Sequence, residues 1–213
     1  RGSDGDVVAL LGAADPSSVP GHGAGRPRVL VAADMTDAIR LVGLARLAGR
    51  AHTGTVWVVV DEILAARQQS VPVEQLLDIV AATTHGPENK VAPSAESLEW
   101  WPRAEWDGEP GATIGYVAWG AAQGVVREAV ALCRSFGLHV AALYPKALWP
   151  VPTQELETFA KTVERVIIVE SDRTGRYTRF VRSWTSLPAL TVMPEPGQAL
   201  TPMDIFMREG LGA

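Results

Sequence analysis

One cysteine, one asparagine, four histidines and no surplus of positive charge are what this 213-residue sequence offers to chemistry. The single Cys133 excludes an intrachain disulfide and a cysteine-held cluster. It falls in the helical spacing Val126-Ala129-Val130-Cys133, where a small buried apolar side chain is expected. Nineteen Lys and Arg against 24 Asp and Glu give a net charge of −5 with no basic stripe, so phosphate binding along a nucleic acid has no electrostatic support. No apolar run approaches the roughly 20 residues of a membrane span, and no signal-peptide pattern opens the chain. A reducing cytoplasm is the expected compartment. Arg1-Gly2-Ser3 reads as a cloning remnant or a clipped start. The histidines His22, His52, His85 and His139 are scattered, none paired at metal-ligand spacing, and there is no Gly-x-Ser-x-Gly elbow. No catalytic residue and no metal ligand is therefore assigned.

What is present is core material. Apolar residues make up 47% and charged residues 20%, the balance of a folded domain whose strands are covered on both sides. Tryptophan is over-represented, with seven copies. Trp100, Trp101 and Trp106 stand in a Pro/Glu-rich stretch, where large aromatics anchor a loop to a core or to a partner; they are the candidate interface.

Three regions follow along the chain. Residues 1–69 hold two Val-rich runs, Arg28–Ala33 and Thr55–Asp61, around an Ala/Leu-rich helix that opens with Thr36 and Asp37 and stops at Gly49, one β-α-β unit. Residues 70–111 lose periodicity after an amphipathic piece at Val73–Ala82 and read as a connector. Residues 112–213 alternate strands at Thr113–Trp119, Leu138–Tyr144 and Arg165–Ser171 with helices at Ala121–Phe136, Thr153–Thr162 and Gly175–Trp184. A short strand at Ala189–Met193 and a helix capped by Thr201-Pro202-Met203-Asp204 complete the region. The alternation predicts an α/β fold, a mostly parallel sheet with helices on both faces.

Two places on this fold could bind a ligand. Gly120 and Gly124 flank a strand-to-helix turn that could aim backbone N–H groups at an anion, but the dinucleotide spacing is absent and tight turning is the main reading. Glu170, Asp172, Thr174 and Gly175 lie at the carboxyl end of the third strand, the edge where open α/β sheets bind ligands. The same residues are explained by Asp172 or Thr174 as a helix N-cap and by Glu170 pairing with Arg173 or Arg176.

The strand-turn VAWGAAQGVVREAV, the corner ALYPKALWPVP at 142–152, the strand-turn VIIVESDRTGR at 166–176 and the helix start ALTPMDI resemble the transketolase C-terminal-like domain II of the alpha subunit of 2-oxoacid:ferredoxin oxidoreductases. The stretch from Arg26 to Pro72 resembles the end of that subunit's pyrimidine-binding domain, so that residues 1–69 become a remnant of a thiamine-enzyme domain. The resemblance implies oxidative decarboxylation of a 2-oxoacid to an acyl-CoA, with thiamine diphosphate, Mg and iron–sulfur clusters. The family's Tyr-Pro-Ile-Thr-Pro-like stretch is missing. The family's diphosphate–Mg motif belongs to the beta subunit, and the sole Asn here is Asn89. Where the family usually has Asn and Gln around its Thr-Gly step, this chain has Asp172 and Arg176 around Thr174-Gly175. Two roles follow. The chain is a short alpha-type subunit or fragment that gives docking surface to a catalytic beta-type chain holding the cofactors, or a degenerate paralogue that works as a structural or regulatory module. Both imply a protein partner and oligomerisation.

Overall fold

A computed structural model describes residues 7–11, 28–51, 56–84, 103–171 and 173–210. In chain order the elements are β1 (Val7–Leu11), β2 (Arg28–Val31), α1 (Met35–Ala51), β3 (Val56–Val60), α2 (Glu62–Ala65), α3 (Val73–Thr84), β4 (Ala104–Asp107) and β5 (Ile114–Ala118). They continue as α4 (Ala122–Ser135), β6 (Val140–Pro145), β7 (Ala147–Trp149), α5 (Thr153–Ala160), β8 (Arg165–Val169), α6 (Arg176–Trp184), β9 (Ala189–Val192) and α7 (Pro202–Gly210). Two compact units result, Arg1–Pro102 with Ala147–Pro150, and Arg103–Lys146 with Val151–Ala213. The division at Pro102 falls inside the stretch read from sequence as a connector.

The first unit is built on a sheet of order β1-β3-β2-β7, parallel except for β7. Sequence periodicity showed only β2, α1 and β3. The two added strands escaped it for different reasons: β1 is an isolated five-residue run, and β7 is three residues inside what reads as a Leu-Trp-Pro corner ending in a cis Trp149–Pro150 peptide. Leu30, Val58, Leu41 and Ala45 are fully buried and join one cluster between sheet and α1. The start of α1 is held by Asp34, whose Oδ1 accepts the N–H of Asp37 at 2.8 Å, while Asp37 Oδ2 accepts from Ala33 N–H at 3.0 Å. Thr36 is not the cap, and the helix continues past Gly49 to Ala51. Asp61 caps α2 in the same way, accepting from Leu64 N–H at 2.8 Å.

The second unit carries a sheet of order β4-β6-β5-β8-β9, with β5, β6, β8 and β9 parallel and β4 antiparallel at the edge. Helices cover both faces, as the alternation predicts. Tyr116 and Ala118 of β5 pack with Val126, Ala129 and Cys133 of α4 and with Ile205 and Phe206 of α7. Gly115 points to the other face, where an added Cβ would lie 2.7 Å from the Phe159 ring of α5 and 2.9 Å from Val163. Residue 115 has no side chain because α5 has taken its space.

Trp106 belongs to β4, not to an irregular connector; alternating residues hid it because β4 is an edge strand whose Glu105 and Asp107 face ion partners. Those partners are Arg127 and Arg134 of α4, each at 2.8 Å. Trp100 and Trp101 lie outside the described residues.

Candidate functional site

The chain leaves β5 through α4 to reach β6 on one side of it, and leaves β8 through α6 to reach β9 on the other. Connections that depart in opposite directions open a crevice between the carboxyl ends of the two strands, the position where open α/β sheets take ligands. Both candidate loops lie there, Gly120 after β5 and Glu170 to Gly175 after β8. The order of strands brings together residues 50 positions apart in sequence, and periodicity alone could not show it.

Aromatic rings occupy this crevice. Trp119, the residue after β5, stacks on Tyr177 in the first turn of α6, ring centroids 5.1 Å apart at 28°. Trp119 is 5% exposed and Tyr177 1%. Neither the Trp119 indole N–H nor the Tyr177 hydroxyl has a hydrogen-bond partner. Burial pushes the Tyr177 hydroxyl well above the ordinary tyrosine range, and the nearby Glu170 charge pushes it the same way. The hydroxyl stays protonated and cannot serve as a base near neutrality.

Glu170 is fully buried. Its Oε1 accepts the backbone N–H of Thr178 at 2.7 Å and the Thr178 hydroxyl at 2.8 Å, and the Thr178 hydroxyl accepts from Thr191 at 3.2 Å. The carboxylate thus satisfies an orphan donor in the first turn of α6 and meets the positive end of that helix, while the threonines tie β9 into the same network. The N-cap position is Gly175, at φ +60° with no side-chain cap, so Thr174 is not the N-cap residue. A side chain is dispensable at 175 because Glu170 reaches the helix end from the strand. The Thr174 carbonyl accepts from Arg179 at 2.5 Å. Asp172 lies outside the described residues.

Gly120 has φ +54°, a left-handed turn that favours glycine, and its carbonyl accepts the Gln123 N–H at 3.1 Å. Gly124 sits in the first turn of α4 with nothing within 4 Å of a would-be Cβ, so no close approach of neighbouring protein atoms explains it. Trp106 is 44% exposed and meets Phe159 edge-on at 5.5 Å.

Sequence reading missed a second polar group on this edge. Gln123 is fully buried in α4 and Lys146, 4% exposed, follows β6. The Lys146 ammonium donates to Gln123 Oε1 at 3.1 Å and lies 3.7 Å from Glu105, while Gln123 Nε2 donates to the Pro145 carbonyl at 3.3 Å. Glu105 also pairs with Arg127, whose guanidinium lies 4.0 Å over the Tyr144 ring. The signal was a lone Gln within AWGAAQGVV and a lone Lys closing an apolar strand. The group joins the end of β6 to the start of α4.

Glu170 Oε1, Gln123 and Lys146 are engaged with protein groups, and no cluster of three His, Cys, Asp or Glu able to hold a metal exists among the described residues. The arrangement does not fit a diphosphate–Mg cradle, and one buried cysteine does not fit an iron–sulfur cluster. No helix of the described residues is long and apolar enough to cross a membrane.

Comparison with known proteins agrees with this geometry. Residues 112–192, less than half of the chain, match the model of the pyruvate:ferredoxin oxidoreductase core domain II. No curated protein sequence matches. Among solved structures, the 2-oxoglutarate:ferredoxin oxidoreductase from Magnetococcus marinus, with 2-oxoglutarate, coenzyme A and succinyl-CoA bound, is similar at TM-score 0.67 and 21% identity over 88% of this chain. The alignment spans 42% of that protein's chain. A split-gene transketolase, an inactive beta4 tetramer, is similar at TM-score 0.54 and 15% identity over 96% of this chain and 61% of its own. The family match over residues 112–192, with the fold shared by the solved structures, supports a domain II of the 2-oxoacid:ferredoxin oxidoreductases in this part of the chain.

Proposed function

We propose that the chain is an alpha-type subunit, or a fragment of one, of a 2-oxoacid:ferredoxin oxidoreductase, and that it gives docking surface to a beta-type catalytic chain. The observation that carries this reading is the combination of a domain II with a carboxyl edge closed from within. The buried Trp119–Tyr177 stack lies at the switch point, and the Glu170 and Lys146 networks are engaged with the protein's own groups. In this reading thiamine diphosphate, Mg and the iron–sulfur clusters belong to partner chains, which perform the oxidative decarboxylation in the cytoplasm. Co-expression with a beta-type chain of the same genome tests it: a stable complex that oxidises a 2-oxoacid with coenzyme A supports the proposal. Titration calorimetry of the isolated chain with thiamine diphosphate and Mg is expected to show no binding, and micromolar binding overturns the assignment of the cofactors to the partner. A beta-type chain that is fully active without this one, and never co-purifies with it, overturns the subunit role.

A further inference from the structure

Helix α3 packs on α1 and carries exposed apolar residues. Val73, Leu77 and Val80 are 66%, 62% and 49% exposed. Their spacing of four and three residues places them in one stripe along the helix, about two turns long. At about 100° per residue, the half-buried Leu76 and Ile79 lie to one side of the stripe and the exposed Glu74 and Asp78 to the other. A soluble helix that leaves three branched aliphatics in water, in line, has a surface suited to burial against something else.

We infer that this stripe is a docking site for an amphipathic helix of the partner protein, one with an apolar stripe bordered by Lys or Arg. The charge chooses the occupant. All the charge on α3 is acidic, Glu74 and Asp78, with no basic residue in the helix. A second copy packed stripe to stripe would bring four carboxylates to one small contact without compensation, and an anionic lipid surface would repel the same pair. A basic-bordered helix gains both the apolar burial and the charge match, as in helix-on-helix recognition elsewhere. The stripe is too small for a whole interface, which buries about 800 Å² on each partner, so α3 is one anchor of a larger contact. This inference rests on the docking role proposed above and names the surface that performs it.

The test uses the full chain co-expressed with its beta-type partner, as wild type, Leu77→Asp and the double variant Glu74→Lys/Asp78→Lys. Position 77 is exposed, so folding is checked by circular dichroism and is expected to be unchanged. Leu77→Asp is expected to weaken the complex at least tenfold, and the charge-reversed variant several-fold, with the difference shrinking at high salt. A wild-type complex that Leu77→Asp leaves intact overturns this inference and leaves the subunit role standing. If the wild type forms no complex, two synthetic helical peptides with the same Leu stripe, one bordered by Lys and one by Glu, separate the ideas. Preference for the Lys peptide that is lost in Leu77→Asp supports the surface, and equal or absent binding overturns it. Self-association of the isolated chain that Leu77→Asp abolishes assigns the stripe to a second copy and also overturns the inference.

Discussion

Replacing Glu170 separates a ligand-binding carboxylate from a structural one. In the structure its Oε1 holds two donors of Thr178 at 2.7 and 2.8 Å in a site with no solvent exposure. Hydrogen bonds to a charged group contribute about 1.5–3 kcal/mol each, so Glu170→Ala, which removes both, should cost roughly 3–6 kcal/mol. Glu170→Gln keeps the shape and one acceptor oxygen but makes both bonds neutral, at about half the strength, for an expected loss of about 1.5–3 kcal/mol. Thr178→Val removes the hydroxyl bond and leaves the backbone N–H in place, at a cost again of about 1.5–3 kcal/mol. For a chain of this size about 1 kcal/mol moves the melting temperature by about 2–4 °C, so all three losses are visible in thermal and urea unfolding. The double variant Glu170→Gln/Thr178→Val should lose less than the sum, because both changes act on the same hydroxyl bond. Unchanged melting in Glu170→Ala, or strict additivity in the double variant, would refute the structural assignment and return Glu170 to the candidate ligand groups.

Tyr177 and Tyr144 both have hydroxyls pushed above the ordinary range, chiefly by burial. The folded state therefore keeps these protons longer than the unfolded chain does, so their contribution is full below about pH 10 and is lost as pH rises beyond it. Tyr177→Phe should flatten the alkaline limb of a stability profile, and an unchanged limb would contradict the burial. Gly115→Ala forces a methyl to within 2.7 Å of the Phe159 ring and should cost about 1–3 kcal/mol, with partial recovery in Gly115→Ala/Phe159→Leu by urea unfolding. Thr201 and Asp204 cap α7 reciprocally, the Asp204 N–H donating to Thr201 Oγ1 at 3.2 Å and the Thr201 N–H to Asp204 Oδ2 at 2.9 Å. Thr201→Ala should cost about 1 kcal/mol in thermal unfolding. The Thr201 bonds hold the Asp204 carboxyl below its usual range, so its contribution is present above that range and fades as pH falls through it.

Elements whose residues are long, apolar and periodic were legible in the sequence. The alternation of β5, α4, β6, α5, β8 and α6 was read to within three residues at each end, because each strand here is a run of buried aliphatics and each helix has one apolar face. The capping box at Thr201 was visible for the same reason: its partners are three residues apart. Short edge pieces were not visible. β4 and β7 exist because a neighbouring strand offers hydrogen bonds, β6 in one case and β2 in the other. Their own residues, AEWD and ALW, have no pattern long enough to declare a strand.

The sequence by itself determined the α/β class and the resemblance to domain II, since these depend on residue identity and local spacing alone. Only the tertiary structure decided what the polar residues do. Chain proximity offered Arg173 or Arg176 as partners for Glu170; the two donors of Thr178 that it accepts came only from the fold, in which the left-handed turn at Gly175 precedes the first turn of α6. Gln123 and Lys146 are 23 positions apart and meet because β6 lies beside β5. Partners chosen by strand order are invisible to periodicity, which records the faces of an element and not its neighbours.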